Sequence, residues 1–283
     1  MKLFVLKEEI IHNLKSPLIY IFALLFFLLS YFHFSNSGVS WNGIIHMGPI
    51  HRNSPYLITN MLLSLCAIGV FAVFIPCGNS IIKDFKHKTY PFLFTTKLKK
   101  DEYIIGRFLG VFISVLIIFI AGILGVYVGS LFAQNYLLGE YKMSSYILPM
   151  LLYVVPNVFI LSTIFFSLGT LKKSSILNYT AAIVLLIYLF LLQGFTSDLI
   201  RNNEINNTII LHVLTFLDPL GSNVFKMETM NWSVLEKNIN EIPITALAIT
   251  HRLTWILTAL LLLRYTYLRF KMEEPIDQNI SDE

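Results

Sequence analysis

Charge is scarce in this chain. Only 13% of its 283 residues are Asp, Glu, Lys or Arg and 55% are hydrophobic, whereas a soluble domain carries about 25% charged residues. That shortage excludes an ordinary water-soluble globule and points to an integral membrane protein. Cysteine is nearly absent: a helix running through both Cys66 and Cys77 would hold them about 16 Å apart along its axis, too far to bridge. They read as apolar filler and identify no redox compartment. No Gly-x-x-x-x-Gly-Lys-Ser/Thr phosphate loop occurs, so the chain is not expected to hydrolyse ATP by itself. There is no His-Glu-x-x-His helix and no Ser, His and Asp arrangement that stands out, and the seven histidines are scattered. No catalytic, metal-binding or cofactor-binding residue is assigned. The interiors of the first five apolar runs hold no Asp, Glu or Lys, and ion-coupled pumps usually need such a titrating group. Secondary transport and intramembrane catalysis are therefore disfavoured.

What is present is a succession of apolar runs near the roughly 20 residues a helix needs to cross the hydrocarbon layer. Residues 1–16 are expected to form an amphipathic interfacial helix. Leu3, Phe4, Leu6, Ile10, Ile11 and Leu14 gather toward lipid, with Lys2, Glu8, Glu9, His12, Asn13 and Lys15 mostly opposite. Two glutamates, and the lack of an Ala-x-Ala-like site after Leu29, argue against a cleaved signal peptide. Span 1 is placed at Pro17–Phe34 with Ser16 as its N-cap, and span 2 at Pro55–Ser80 with the same Ser-Pro start and a kink at Pro76. Span 3 is placed at Ile104–Phe132, with Asp101 as N-cap. Its Gly106-x-x-x-Gly110 and Gly125-x-x-x-Gly129 spacings are read as close helix packing only. Span 4 (Tyr146–Thr170) and span 5 (Ser175–Phe195) are joined by a tight turn. Residues 196–248 form a structured loop with a helix near Ile205–Phe216, a turn at Asp218–Gly221 and a capping box Ser233-x-x-Glu236. Span 6 is placed at Ile249–Phe270, with Arg252 and Arg264 snorkelling toward opposite interfaces.

Three groups of residues within this frame invite a functional reading. Asn60 and Asn157, polar and mid-span, either line a pathway or bond between helices, the second being favoured. His251–Arg252 either meets an anionic substrate or anchors its helix at headgroup level, again with the second favoured. The third is the segment 83–107, which carries seven cations against Asp84, Asp101 and Glu102. Its middle, Tyr90–Thr96, is aromatic and apolar, which a plain connector does not require. Such residues leave water for a partner protein, for the lipid headgroup layer, or for both. With the N-terminus inside, fifteen Lys and Arg fall on the cytoplasmic side and six outside, a positive-inside bias that puts both termini and this loop in the cytoplasm. Basic loops beside spans are the default, so no nucleic acid is implied.

This combination of an amphipathic start, six spans, a basic aromatic loop after span 2 and a structured outer loop before span 6 resembles an ABC-2 type transporter permease. In that family the first cytoplasmic loop carries a coupling helix seated in a groove of a separate ATPase subunit. The residues that match it are Lys83-Asp84-Phe85, Lys88-Thr89, Phe92-Leu93-Phe94, Thr95-Thr96 and Gly106-Arg107. Lys97 stands where a Pro would be usual, and Pro91 comes early. A narrower resemblance, to the membrane region of Bacteroidota permeases often fused to an M1-family aminopeptidase, rests on several further stretches. They are Asn53-Ser54-Pro55-Tyr56, Asp84-Phe85-x-His87, Gly106-Arg107-Phe108-Leu109-Gly110, Leu217-Asp218-Pro219-Leu220-Gly221, Trp232-Ser233-x-x-Glu236-Lys237-Asn238 and Arg252-Leu253-x-Trp255. No peptidase motif is present, so that activity does not carry over.

The resemblance implies a bacterial inner-membrane permease subunit, an exporter, working as a homodimer or beside a related permease chain. An ABC ATPase subunit would bind the ATP and Mg, and this chain would bind no cofactor. Asp84, Lys88, Thr89, Phe92, Leu93, Phe94, Thr95 and Thr96 would make the ATPase contact. The expected architecture is all-α: an interfacial helix at 1–16, a six-span domain at 17–270 and an acidic cytoplasmic tail at 271–283. The alternative function is a non-transporting anchor or assembly component of a secretion or motility complex.

Overall fold

The computed structural model describes residues 2–35, 50–87, 89–91, 98–134, 137–201 and 208–271. Its elements run α1 (Lys2–Lys15), α2 (Pro17–Ser35), α3 (Pro55–Ile68), α4 (Val70–Lys86) and α5 (Lys100–Leu131). They continue with α6 (Ser144–Pro149), a π-turn (Met150–Val154), α7 (Val155–Lys172) and α8 (Ser175–Arg201). Three short helices follow, α9 (Thr208–Leu217), α10 (Ser222–Thr229) and α11 (Val234–Ile239), before α12 (Ala246–Arg269). Five segments are each long and apolar enough to cross a membrane, and the bent pair α3–α4 brings the number to six. The protein has an all-α membrane fold.

The longest helix, α5, organises the bundle. Its 32 residues span about 48 Å, well beyond the roughly 30 Å of hydrocarbon, so it reaches past the spans to receive α1. Side chains are missing where other helices come closest. A Cβ at Gly125 would collide with the Phe27 carbonyl oxygen, and one at Gly129 would sit 2.7 Å from that of Tyr31. Both contacts are with the backbone of α2, which cannot swing aside as a side chain can. Gly106 and Gly110 face Val5 and Glu9 of α1, where an added Cβ would lie 2.9 and 2.6 Å from the facing Cβ atoms. Both Gly-x-x-x-Gly pairs thus sit at helix contacts, one under α1 and one under α2. Half of the best apolar window is buried in α5 and in the α6–α7 span, against 22–28% in α2, α8 and α12. The first two form the centre, and the outer three turn aliphatic faces outward.

Several local expectations are corrected. The start signals hold at Ser54, whose hydroxyl accepts from Leu57 N at 3.3 Å, and at Ser233, which forms a complete capping box with Glu236. Asp101 is not the N-cap of α5. That position is Lys99, and Asp101 and Glu102 occupy the first turn, where their charge complements the exposed N–H groups. Pro76 lies inside α4, which continues through it. Span 2 bends by 45° between Ile68 and Val70, where a Cβ added at Gly69 would lie 2.6 Å from Phe119 Cζ. A π-turn at Met150–Val154 interrupts span 4. Pro156 follows it and has no N–H to offer the Leu152 carbonyl, so the ladder widens ahead of the proline. The acidic tail and residues 36–49 lie outside the described residues.

Replacing Gly125 with Ala forces α2 and α5 apart at a backbone contact that cannot relax by rotamer change. The expected outcome is a loss of about 1–3 kcal/mol, read as a lower melting temperature in detergent. An Ala at Gly194, which has nothing within 4 Å, leaves it unchanged.

Candidate functional site

A charged residue in a membrane bundle needs partners, because an unpaired buried ion is costly. The structure meets that need at the end of the bundle where segment 83–107 is rooted. The last turns of α4 present Ser80, Lys83 and Asp84, and the first turns of α5 present Tyr103 and Arg107. Spacings of three and four residues put each set on one helix face. From the side, α1 inserts Glu9, which is fully buried.

Four donors converge on that carboxylate. Ser80 Oγ donates to Oε1 at 2.9 Å and Lys83 Nζ to Oε2 at 2.8 Å. Asn13 Nδ2 donates to Oε1 at 3.4 Å, and Arg107 Nη1 closes a salt bridge to Oε2. The other arm of Arg107, Nη2, meets Asp84 Oδ2 at 2.6 Å, which also accepts from Tyr103 Oη at 2.6 Å. Two cations face two anions, so the cluster is formally neutral, with Arg107 as the fork between both carboxylates. Burial works to raise the Glu9 pKa, but the charges and hydrogen bonds of Arg107 and Lys83 outweigh it and hold the carboxyl below its ordinary value. Burial, with Lys83 nearby, lowers the His12 pKa on the rim.

The roots of the segment are tied further. Thr89 donates N–H and Oγ1 to the Asp84 carbonyl oxygen at 2.9 and 3.2 Å. The Phe85 and Tyr90 rings stack 5.0 Å apart, and Lys173 Nζ lies 3.8 Å from the Phe85 centroid. Tyr103 stacks on Phe270 at 5.8 Å and Lys100 lies over Tyr267 at 4.7 Å, bringing in the end of α12. Of the residues expected to contact an ATPase, Asp84 belongs to the buried cluster and Thr89 caps it. Lys88, Phe92, Leu93, Phe94, Thr95 and Thr96 lie outside the described residues. Gly106 and Gly110 let α1 close enough for Glu9 to reach the cluster.

The sequence reading missed Glu9 as a site residue by setting it, with Asn13, among the polar residues opposite the lipid-facing side of an interfacial helix. The structure turns Val5, Glu9 and Asn13 inward as one stripe, and Phe4 outward. The stripe follows a spacing of four, and the Gly106–Gly110 pair is the notch it fits. That match is the signal in the sequence.

The opposite end of the bundle holds a second buried polar set, and it corrects the reading of Arg252. This residue does not snorkel to headgroup level: it is 4% exposed. Its Nη1 donates to Asn157 Oδ1 at 2.7 Å and Nη2 to the Pro219 carbonyl at 3.4 Å, with the Tyr153 ring centroid 5.4 Å away. Asn157 Nδ2 donates to the Leu220 carbonyl at 3.0 Å, so this asparagine bonds between elements. Asp218 is a buried turn former, accepting from Leu220 N and Asn223 N at 3.0 and 2.8 Å. Burial pushes its pKa up, against those two hydrogen bonds. Gly221 follows at φ +72°, and the Arg252 guanidinium occupies the space its Cβ would need. Asn60, by contrast, lines an open cavity of ≈ 460 Å³ between α3 and α8.

Among the described residues no group of three His, Cys, Asp or Glu side chains is placed to hold a metal ion. No protein-family model and no curated protein matches the chain.

Arg107→Ala leaves two carboxylates sharing Lys83 alone. The expected cost is about 3–5 kcal/mol, the range for breaking a buried pair, read as loss of protease protection of α1 or a lower melting point in detergent. The acid response follows from Glu9. Because its folded pKa is depressed, its contribution is complete above the ordinary glutamate range and lost as pH falls through the lowered value. The protection factors of α1 amides, which remove the intrinsic pH dependence of exchange, should therefore fall on acidification in the wild type. In Glu9→Gln they should start low and change little with pH.

Proposed function

We propose that this chain is the membrane-spanning permease subunit of an ATP-driven ABC-2 type exporter in a bacterial inner membrane. Both termini and segment 83–107 are cytoplasmic in this reading, following the positive-inside bias of the loops. A separate ATPase subunit binds ATP and Mg and docks on that segment. Two permease copies, or this chain and a related one, enclose the path.

The observation that supports the reading is the mounting of the segment. Its two roots, Lys83–Asp84 and Tyr103–Arg107, are bonded to each other and to Glu9 of α1. A segment that merely connected two spans would need no such fastening. One that receives force must be held so that α1, α4 and α5 move together, because a compliant mount would dissipate the displacement. The aromatic residues between the roots supply the hot-spot chemistry for a desolvated groove, and the flanking lysines suit an acidic rim or anionic lipid.

Phe92→Ala and Phe94→Ala should each abolish co-purification of a phosphate-loop ATPase while insertion and the melting temperature stay at wild-type values. If both variants recover that ATPase at wild-type levels, the permease assignment fails.

A further inference from the structure

The cavity that reaches Asn60 has a composition of its own. Its walls are α3 and α8, and α10 and α11 close over it. Leu63, Ile200, Phe225 and Met230 make one part apolar. The polar part holds two cations, Lys226 and Lys237, and among the described residues no carboxylate lines it. Lys226 Nζ donates to Ser197 Oγ at 3.0 Å, and Lys237 Nζ lies 5.2 Å from the Tyr56 ring centroid. Among the described residues neither lysine has an ion-pair partner.

A second observation is independent of the charges. Ser222 also lines the cavity, and its Oγ is buried without a hydrogen-bond partner among the described residues. Buried hydroxyls are normally satisfied, so an orphan one in the wall that carries both lysines marks a place where a hydrogen-bond partner is missing. The only charge acting on Lys226 among the described residues, that of Asp218, is committed to backbone N–H groups. Burial pushes the Lys226 pKa down although the Asp218 charge works to raise it, a condition that an anion in the cavity would relieve further. At ≈ 460 Å³ the cavity falls within the roughly 300–1,000 Å³ of small-molecule sites. The apolar portion is wasted on a bare inorganic ion.

We propose that this cavity binds an anionic amphiphile, with a phosphate or carboxylate head held by Lys226, Lys237 and Ser222. The Asn60 and Gln193 amides supply further hydrogen bonds, and the chain lies along Leu63 and Phe225. Calling this ligand the cargo rests on the permease reading. The binding itself does not, and its test contains no ATPase.

The full chain in neutral detergent is titrated with lysophosphatidylglycerol, lysophosphatidylcholine and inorganic phosphate, with bound ligand read by native mass spectrometry. The expected result is selective retention of lysophosphatidylglycerol, with a loss of about tenfold or more in Lys226→Gln/Lys237→Gln, as for removal of one charge-assisted hydrogen bond. The Arg/Arg pair at the same positions retains binding, which separates charge from folding. Lys172→Gln/Lys173→Gln, at the other end of the bundle, also retains it. Three results would each overturn the proposal: unchanged binding in the Gln pair, an equal loss in the Lys172/Lys173 control, or phosphate bound as tightly as the lysolipid.

Discussion

The fold depends on a single guanidinium. Arg107 lies one turn after Tyr103 on a helix that is otherwise apolar for most of its length, and its two arms engage Glu9 and Asp84. Without it Asp84 would lose its salt bridge and Glu9 would keep only Lys83 as a cation in the cluster. Each of the three helices contributes charge that is untenable alone, so the arrangement forms as a set. That is how a polar cluster specifies a particular packing in a bundle whose aliphatic faces would accept many.

Small residues set the distances at which those charges can meet. The helix that admits the backbone of α2 through Gly125 and Gly129, α5, also admits α1 through Gly106 and Gly110. With larger residues there, α1 would stand away from α5 and Glu9 would fall short of Lys83. Packing and electrostatics are thus one device at this end of the molecule. At the other end the same logic uses neutral partners. Arg252 is surrounded by an asparagine, a carbonyl and an aromatic face, with Asp218 committed to backbone N–H groups.

The span order, the short loops and the Ser-Pro and Ser-x-x-Glu starts were legible because each is written in adjacent residues. Ser54 and Ser233 cap the helices that begin beside them, and both glycine pairs lie at helix crossings. What the sequence did not disclose needs a partner far along the chain. Glu9 lies 98 residues from Arg107, and Arg252 lies 95 from Asn157. Read alone, each charge belongs at an interface; only the pairing sends it inward. The bend in span 2 escaped for a related reason. Pro76 is the stronger local breaker, but the break falls at Gly69, where the Phe119 ring of another helix leaves no room for a Cβ. The anion-accepting cavity was visible only as Asn60, since its lysines come from short helices whose docking no periodicity reveals.

That bend gives span 2 an unusual mechanical character. Its α4 half is locked into the ionic cluster, and its α3 half forms a wall of the cavity, at 45° to it. A rod pushed along its length delivers a push. A cranked one delivers sideways and axial travel in comparable measure, with Gly69 as the elbow. Displacement of the charged root would therefore reach Asn60 and Leu63 as a change in the cavity's width rather than its depth.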